Sequence, residues 1–361
     1  MAASDPLPFT GLLVVEAAGV LAGPAVGMFF AELGARVVKF ENAKAGGDVT
    51  RKWKLPKEDP KSTVSAYFSS VNWGKEHQQL DLTSPEGRAL LDELLRTADV
   101  LITNHLAEDA DKLGLQRERT RALNPRLVHG HIKGFADNDA RTAYDVVLQA
   151  ETGYLSMTGT DADHLAKLPI AMIDVLAAHQ LKEGLLLALL QRSATGKGAY
   201  VEVSLEEAAL TALINQASNA LMTGQVAQPI GTLHPNIAPY GELFTCADGK
   251  RVVLAVGSDA QFKALNQVLD LDLQHDQHFN SNAKRVLNRN VLAQLLAQPI
   301  ALRTSTDLME ALISAGVPSG IVRSLDDVLA SPAAERMLRE STIDGVATRR
   351  LSGNAFRIEP Y

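Results

Sequence analysis

The segment GLLVVEAAG, residues 11–19, places the strongest limit on how this chain can fold. Its apolar run is typical of a buried strand, and it ends in small residues. VLAGPAVGMFFAELGA, residues 20–35, predicts a helix with a proline near its start and Gly34 as its C-cap. RVVKFE at 36–41 predicts a second strand. A strand, a helix and a strand within about 30 residues form a βαβ unit, which pairs its two strands in parallel.

The alternation of helices and strands continues along the N-terminal half. Apolar spacings of three and four predict helices, and short apolar runs predict strands. The predicted helices lie at 84–98, 109–125 (as short turns), 143–159, about 170–193 and 206–224, and the predicted strands at 99–104, 126–135 and 200–205. This pattern predicts an α/β fold with a doubly wound, Rossmann-like large domain.

The texture of the sequence changes after Gly231. ELFTCADGKRVVLAVG, residues 242–257, predicts a hairpin that turns at Asp248-Gly249, and helices follow to about residue 340. We therefore expect a division of the chain into three parts. They are a large Rossmann-like domain at 1–225, a small α+β domain at 226–335, and a C-terminal segment at 336–361 that returns toward the large domain.

Composition argues against several classes of function. The 361 residues carry a formal net charge of −7, which is unlike a general nucleic-acid binder. The single cysteine, Cys246, forms no internal disulfide and fits a reducing compartment. The N-terminus lacks the pattern of a secretory signal, and the longest apolar run is too short to cross a bilayer. The sequence therefore predicts a cytoplasmic protein with no membrane or nucleic-acid partner.

Several familiar motifs of binding and catalysis are absent from the sequence. The chain has no G-x-G-x-x-G, no P-loop and no G-x-S-x-G. His129 and His131 share one face of a predicted strand, but no third ligand is evident. We therefore predict ordinary strand histidines and no metal site.

Asp174 is the one acid in LPIAMIDVLAAHQL, residues 168–181, and its neighbours from Leu168 to Ala178 are uncharged. A carboxylate in such a run is costly to bury unless a partner pairs with it or a reaction uses it. Its place near the predicted start of a helix fits an acid that stabilises the helix N-terminus. A carboxylate nucleophile is the other interpretation, and the position alone leaves both open.

Eight motifs occur in order between residues 20 and 320. They are VLAGPAVGMFFAELGARVVKFENAKAGGDVTRKW (20–53), LDLTSPEGRALL (80–91), ADVLITN (98–104), LNPRLV (123–128), GYLSMTG (153–159), TGKGAYVEVSL (195–205), HPNIAPYGELFTCADG (234–249) and AGVPSG (315–320). Together they resemble the class III CoA-transferase family, which includes formyl-CoA transferase, carnitine CoA-transferase and the α-methylacyl-CoA racemases. The resemblance covers roughly residues 10–335 and implies an interlocked homodimer.

The resemblance also implies a mechanism. Asp174 matches the family's aspartate, which attacks the thioester of an acyl-CoA donor and forms a mixed anhydride while CoA thiolate leaves. The thiolate then attacks the aspartyl carbonyl and gives an aspartyl-CoA thioester, and a carboxylic acid acceptor takes the CoA by the reverse steps. Coenzyme A enters and leaves as a thioester substrate, and the mechanism needs no metal.

The residues expected to bind CoA follow from the same motifs. Val20 and Leu21 would lie beside the cofactor, Leu80 and Thr83 at the adenine, Asn104 and Lys133 along its path, and Phe135 and Asp137 in a loop near the active centre. Asn42 and Leu106 stand where the family has arginines, so we expect Lys39, Lys44 or Arg51 to replace these phosphate partners. The family's Gly-Glu-His-Thr motif near the C-terminus is also absent from the sequence.

Two further motifs concern the acceptor acid and the possibility of a racemase. HPNIAPY, residues 234–240, resembles members that handle dicarboxylates, so we expect His234, together with Tyr144, to contact the acid. A racemase needs a second base from a Gly-His-Asp triplet, and here the triplet is Ala143-Tyr144-Asp145. A non-catalytic CoA-binding member of the family is the other alternative, which the altered phosphate positions favour.

Overall fold

The computed structural model describes residues 7–138 and 140–359. The chain forms two compact units. The larger unit comprises Met1–Tyr154, Lys167–Thr223 and Ala333–Tyr361, and the smaller unit comprises Leu155–Ala166 and Gly224–Pro332. Within the described residues, no helix has both the length and the apolar character needed to cross a membrane.

Strands and helices alternate along the larger unit. The strands are β1 (Leu13–Ala17), β2 (Arg36–Asn42), β3 (Lys75–Leu80), β4 (Val100–Thr103), β5 (Val128–Lys133) and β6 (Ala199–Ser204). The helices are α1 (Ala22–Glu32), α2 (Ala66–Ser69), α3 (Pro85–Leu95), α4 (Ala107–Leu113), α5 (Arg117–Leu123), α6 (Asp145–Glu151), α7 (Tyr154–Met157, at the border of the two units), α8 (Met172–Thr195), α9 (Leu205–Thr211) and α10 (Ile214–Thr223). Two short 3₁₀ helices lie at Ala43–Ala45 and Val49–Lys52.

The six strands form one parallel sheet in the order β3-β2-β1-β4-β5-β6. The order changes direction between β1 and β4, because the chain builds outward from β1 first on one side and then on the other. In open parallel sheets, ligands bind in the crevice at the carboxyl ends of the strands, where such a change of direction occurs. The α/β fold class predicted from the sequence is confirmed at this level.

Both faces of the sheet are covered by helices, and alternate side chains of β1 show why. Val14 points into a core formed with α1 and α8, and Val15 points into a second core on the opposite face, formed with α3. Gly23 is needed where α1 passes close to the end of β1, since a Cβ atom there would lie 2.4 Å from the Ala18 Cβ. This close approach brings the N-terminus of α1 to the carboxyl edge of the sheet.

The smaller unit is built around a three-stranded antiparallel sheet in the order β7-β8-β9. The strands are β7 (Tyr240–Thr245), β8 (Arg251–Ala255) and β9 (Ser319–Ile321), and the helices are α11 (Asp259–Leu269), α12 (Asn282–Leu287), α13 (Arg289–Ala301), α14 (Ser305–Ser314) and α15 (Leu325–Leu329). The predicted hairpin turn contains Gly249 at φ +76°, a left-handed conformation that glycine adopts readily.

A C-terminal hairpin completes the larger unit. It follows α16 (Pro332–Met337, at the border of the two units) and pairs β10 (Leu338–Ile343) with β11 (Val346–Leu351). Its turn residue Asp344 lies 2.9 Å from the Arg51 guanidinium, 293 positions earlier in the chain. Arg350 forms a buried ion pair with Glu32 at the end of α1. These two pairs attach the hairpin to the N-terminal part of the sheet.

The predicted and observed elements differ in several places. The strand β3 was not predicted, because KEHQQL carries five polar residues and forms an edge of the sheet with partly exposed side chains. The helix predicted at 206–224 is divided into α9 and α10. The strand β9 was not predicted either, because it is only three residues long.

Candidate active site

Asp174 lies in the first turn of α8, at the carboxyl edge of the parallel sheet. The residue is 9% exposed, and it lines a cavity of about 460 Å³. Four other predicted site residues line the same cavity: Val20, Asn104, Lys133 and Tyr144. The fold therefore brings together residues that are far apart in the sequence around one opening beside the Asp174 carboxylate.

Two opposing effects act on the pKa of the Asp174 carboxyl group. Burial raises this pKa most, and the negative charge of Asp145 raises it further, to about 6 from an ordinary value of 3.8. Hydrogen bonds from backbone N–H groups, including that of Ala22 at the start of α1, lower it. The carboxylate is therefore mostly ionised at neutral pH and poorly solvated, a state that suits a nucleophile.

Asp145, at the start of α6, orients the N-terminus of α8. Its Oδ1 accepts a hydrogen bond from the Ile173 N–H at 2.7 Å, and its Oδ2 accepts one from the Gln149 Nε2 at 2.6 Å. Gln149 is completely buried, and its Oε1 accepts from the Leu168 N–H at 2.8 Å. These bonds fix the chain just before Asp174, so they determine where its carboxylate meets the cavity.

The turn between β1 and α1 lines the same cavity as Asp174. Val20 has a φ of +70°, a left-handed conformation that β-branched residues rarely adopt. The Gly19 N–H donates to the Asn104 Oδ1 at 3.0 Å, and the Asn104 Nδ2 donates to the Gly19 carbonyl at 2.8 Å. Leu21 is the N-cap of α1 and supplies no side-chain hydrogen bond to it. Asn104, which directly follows β4, therefore holds the turn. The first backbone N–H groups of α1 stay available to bind an anion.

A second cavity, of about 280 Å³, lies beyond the ends of β2 and β3. Leu80 and Thr83, the residues predicted to hold adenine, line it together with Lys44. The Lys44 Nζ donates to the Thr83 Oγ1 at 3.0 Å and lies 2.8 Å from the Asp81 Oδ2, and its side chain is 66% exposed. The two cavities share the lining residues Gly19 and Leu115. They are therefore neighbours along the carboxyl edge of the sheet.

The position of Lys39 does not fit its predicted contact with CoA. The residue is completely buried in β2. Its Nζ lies 2.9 Å from the Glu16 Oε1 and 3.1 Å from the Asp48 Oδ2, and it donates to the Ala18 carbonyl at 2.6 Å. Lys39 lines neither cavity, so the geometry gives it a role inside the protein, and Lys44 is the candidate that reaches a cavity surface.

Two further predicted residues of the larger unit, Phe135 and Asp137, do not line either cavity. Phe135 is buried in the core, with the Arg141 guanidinium 4.2 Å above its ring. Asp137 is an exposed loop residue. His234 belongs to the smaller unit, where its Nδ1 accepts a hydrogen bond from the Asn236 N–H at 3.1 Å. The geometry of the larger unit therefore adds no support to the predictions for Phe135 and Asp137.

Tyr67 and Trp53 were not among the predicted site residues. Burial and the negative charges of Asp174, Asp145 and Asp48 raise the pKa of the Tyr67 hydroxyl, which places this side chain within the field of the carboxylates. The Trp53 ring meets the Tyr67 ring edge-on, at a centroid distance of 5.1 Å. Residues 43–69 show little regular periodicity, so the sequence offered no signal that they return to the site.

Three histidines cluster on one face of the sheet near the cavity. The Thr103 Oγ1 lies 3.0 Å from the His129 Nε2 and 2.8 Å from the His131 Nδ1. The rings of His105 and His131 have centroids 4.9 Å apart. Burial lowers the pKa of His129 to about 3 and also lowers the pKa of His105, so both are neutral at neutral pH. No group of His, Cys, Asp or Glu in residues 7–138 and 140–359 has the arrangement of a metal site.

Comparisons with known proteins identify the family of this chain. Residues 9–356 match the family model for CoA-transferase family III. The chain is 34% identical to the succinate–glutarate CoA-transferase of Agrobacterium fabrum, over 91% of this chain and 83% of that protein. It is 33% identical to the acetyl-CoA:oxalate CoA-transferase of Acetobacter aceti, over 98% and 90%.

A solved structure agrees with these matches in fold. The crystal structure of a CAIB/BAIF family protein from Brucella suis matches with a TM-score of 0.84 and 34% identity, over 98% of this chain and 93% of that one. The family match spans nearly the whole chain and includes the β1–α1 turn and the start of α8. The chain is therefore a CoA-transferase and belongs to CoA-transferase family III.

Proposed function

We propose that this protein moves coenzyme A from an acyl-CoA thioester to a small carboxylic acid, with Asp174 as the covalent nucleophile. The observation that carries the proposal is the carboxylate itself. Asp174 is buried and ionisable near pH 6, yet it opens into a cavity at the start of α8. Burial of an anion without an ion pair is costly, and a covalent role explains why it is kept.

The reaction proceeds through two kinds of covalent intermediate. An Asp174 oxygen attacks the donor's thioester carbonyl, the C–S bond breaks, and a mixed anhydride and CoA thiolate result. The thiolate attacks the aspartyl carbonyl, the donor's carboxylate leaves, and an aspartyl-CoA thioester remains. The acceptor's carboxylate attacks that thioester to form a second anhydride and thiolate, and the thiolate then takes the acceptor's acyl group and frees Asp174. Each step exchanges one acyl bond for another, so the energy of the thioester is retained.

Backbone amides at the cavity stabilise the negative charge that develops on oxygen. The Ala22 N–H lowers the pKa of the Asp174 carboxyl group, and it lies in the first turn of α1, whose dipole favours an anion. Preorganised donors of this kind typically account for about a hundredfold to a thousandfold in rate. Water must be kept out, because hydrolysis of either intermediate would waste the thioester.

Coenzyme A would extend along the carboxyl edge of the sheet. Its adenine fits the cavity lined by Leu80 and Thr83, where the exposed ammonium group of Lys44 can meet a phosphate. The pantetheine arm would then pass Asn104, Val20 and Leu21 toward Asp174. Lys133, whose Nζ lies 2.9 Å from the Glu202 Oε1, lines the same cavity further along. The neighbouring cavities favour this path, because CoA is long and Asp174 must reach its sulfur.

The acceptor is proposed to be a small dicarboxylate. The matched proteins from Agrobacterium fabrum and Acetobacter aceti are named for succinate and glutarate, and for oxalate. Tyr144 is half exposed and lines the cavity with Asp174, so its side chain can contact the acid. The contact predicted for His234 stays a prediction from the sequence.

A homodimer is also proposed, with the two chains interlocked as the family resemblance implies. Large apolar side chains on α8 and α10 support a partner chain, since monomers rarely leave such groups exposed together. The exposed residues are Leu187 at 67%, Leu190 at 69%, Leu221 at 86% and Met222 at 85%. Closed two-fold dimers are the commonest form of homo-oligomer.

The decisive experiment replaces Asp174 by asparagine and compares it with Glu183→Gln. Glu183 is exposed on the same helix, nine residues further along, so it controls for loss of charge on α8. Transfer from succinyl-CoA or acetyl-CoA to glutarate or oxalate should fall at least about 1000-fold in Asp174→Asn, as expected for a lost nucleophile, and should be unchanged in Glu183→Gln. Unchanged turnover in Asp174→Asn would reject the assignment.

A trapping experiment tests the intermediate directly. Hydroxylamine added to the enzyme and its acyl-CoA donor should displace CoA from the aspartyl thioester and leave a hydroxamate on Asp174. Peptide mass spectrometry should find that hydroxamate in the wild-type chain and not in Asp174→Asn. A wild-type chain that binds acyl-CoA but forms no adduct would favour the non-catalytic alternative.

A further inference from the structure

The backbone at Val20 adopts a conformation that its own side chain disfavours. Its φ of +70° is in the left-handed region, where a β-branched side chain clashes with the backbone. Such conformations persist only where the surrounding structure holds them, and they cluster at functional sites. Val20 immediately precedes Leu21, the N-cap of α1, and its φ and ψ set the direction of the amides that follow.

The Asp48 carboxylate contacts this turn directly and through Lys39. Its Oδ2 accepts a hydrogen bond from the Val20 N–H at 3.3 Å and lies 3.1 Å from the Lys39 Nζ. The same ammonium group donates to the Ala18 carbonyl at 2.6 Å. Lys39 therefore joins the end of β1 to Asp48, and the turn is held at two points by one ion pair.

Asp48 is itself held rigidly. Its Oδ1 accepts from both the Thr50 N–H at 3.0 Å and the Thr50 hydroxyl at 2.7 Å. Its own N–H donates to the Glu41 Oε2 at 2.7 Å. The side chains of Asp48 and Lys39 are 1% and 0% exposed, so little water competes for these bonds. A group fixed in this way can hold a strained neighbour in one conformation.

We propose that Asp48 and Lys39 are positioning residues for the transfer reaction, which keep the Val20 turn left-handed and thereby aim the first amides of α1 at the Asp174 carboxylate. The inference rests on the proposed function of Asp174. It also gives the buried Lys39 a role that differs from the CoA contact predicted from the sequence. Neither Asp48 nor Lys39 touches the reacting atoms in this proposal, because each acts through the backbone of residues 18–22.

The kinetic test uses Asp48→Ala and the milder Asp48→Asn, with Glu32→Gln as control. Glu32 is a buried carboxylate in an ion pair at the other end of α1, about 15 Å from the turn. We expect kcat per folded enzyme to fall about 10- to 100-fold in Asp48→Ala, because small misplacements of catalytic groups have effects of this size. Asp48→Asn keeps an acceptor for the Val20 N–H and should lose less. KM for the acyl-CoA donor should stay within about twofold in both.

A double-mutant cycle separates positioning from a general loss of structure. Glycine adopts a positive φ without strain, so a turn with Val20→Gly should depend less on the hydrogen bond to Asp48 for its left-handed conformation. The loss caused by Asp48→Ala should therefore be several-fold smaller in the Val20→Gly background. If Asp48→Ala does not fold, the same cycle is run with Asp48→Asn.

The pH profile adds a readout that a structural role would not move. Loss of aligned N–H donors should raise the pKa of Asp174, so the acid limb of kcat/KM should move upward by about half a unit or more in Asp48→Ala and by less in Asp48→Asn. In Glu32→Gln both kcat and this limb should stay unchanged, even if stability falls.

The outcomes distinguish this inference from the proposed function. An inactive Asp174→Asn with a fully active Asp48→Ala or Asp48→Asn would overturn the positioning role and leave the nucleophile in place. If the Asp48 variant lowered kcat equally with and without Val20→Gly, the inference would also be overturned, because Asp48 would then not act through Val20. An active Asp174→Asn would remove the proposed nucleophile, whatever the Asp48 variants do.

Discussion

The buried Asp174 carboxylate should lower the stability of the folded protein at neutral pH. Its pKa is about 6 in the folded chain against an ordinary 3.8, so the folded state binds the proton more tightly than the unfolded state does. Stability contributed by the protonated form is present at low pH and is lost as the pH rises from about 4 through 6. A difference of about two pKa units corresponds to about 3 kcal/mol.

Replacing Asp174 by asparagine should therefore stabilise the protein while it abolishes activity. Asparagine keeps the shape of the side chain and an acceptor for the Ala22 N–H, but it carries no charge to bury. We expect a gain of about 1–3 kcal/mol at pH 7.5, which corresponds to a rise in Tm of about 1–4 °C. Most of this gain should disappear at pH 4.5, where the folded wild-type carboxyl group is already protonated.

Thermal and urea unfolding of wild type, Asp174→Asn and Glu183→Gln, each at pH 7.5 and pH 4.5, measures this difference. Glu183→Gln removes an exposed charge from the same helix and should change stability little at either pH. A destabilised Asp174→Asn at pH 7.5, or an equal gain at both values of pH, would refute the argument that burial of the charge sets the cost.

Two other predictions concern the cofactor and the assembly. Lys44→Ala should raise KM for an acyl-CoA donor about three- to tenfold without changing kcat. The effect should vanish with an acyl-pantetheine donor, because that donor lacks the nucleotide phosphates. An equal effect on both donors would exclude a phosphate contact. Sedimentation equilibrium should give twice the 38.7 kDa of one chain, and a mass of one chain at micromolar concentration would contradict the dimer.

Local patterns in the sequence were sufficient to predict the framework of the site. β1, α1 and β2 were predicted because their apolar spacing, the proline near the start of α1 and a glycine at its end all act within about 30 residues. Asp174 was placed near the start of a helix for the same reason. Its identification as a nucleophile came from the family resemblance, since position alone also fitted an acid that stabilises a helix.

Contacts between distant residues could not be predicted in the same way. Lys39 lies in RVVKFE, and nothing in that strand shows whether its ammonium group points to solvent or to a buried carboxylate. The answer depends on Glu16, 23 positions earlier, and on Asp48, the N-cap of the 3₁₀ helix Val49–Lys52. Asp48 was missed because its partner, the Val20 N–H, lies 28 positions away and is available only when Val20 is left-handed.

The C-terminal hairpin has a consequence for how the larger unit is made. Arg350 and Asp344 provide partners for Glu32 and Arg51, which precede them by about 300 positions in the chain. Until β11 is made, Glu32 lacks its ion pair with Arg350, and the residues of the smaller unit must already have been translated. The larger unit therefore cannot complete these two ion pairs until the C-terminal hairpin has been translated. A chaperone that binds the incomplete larger unit would act during that interval.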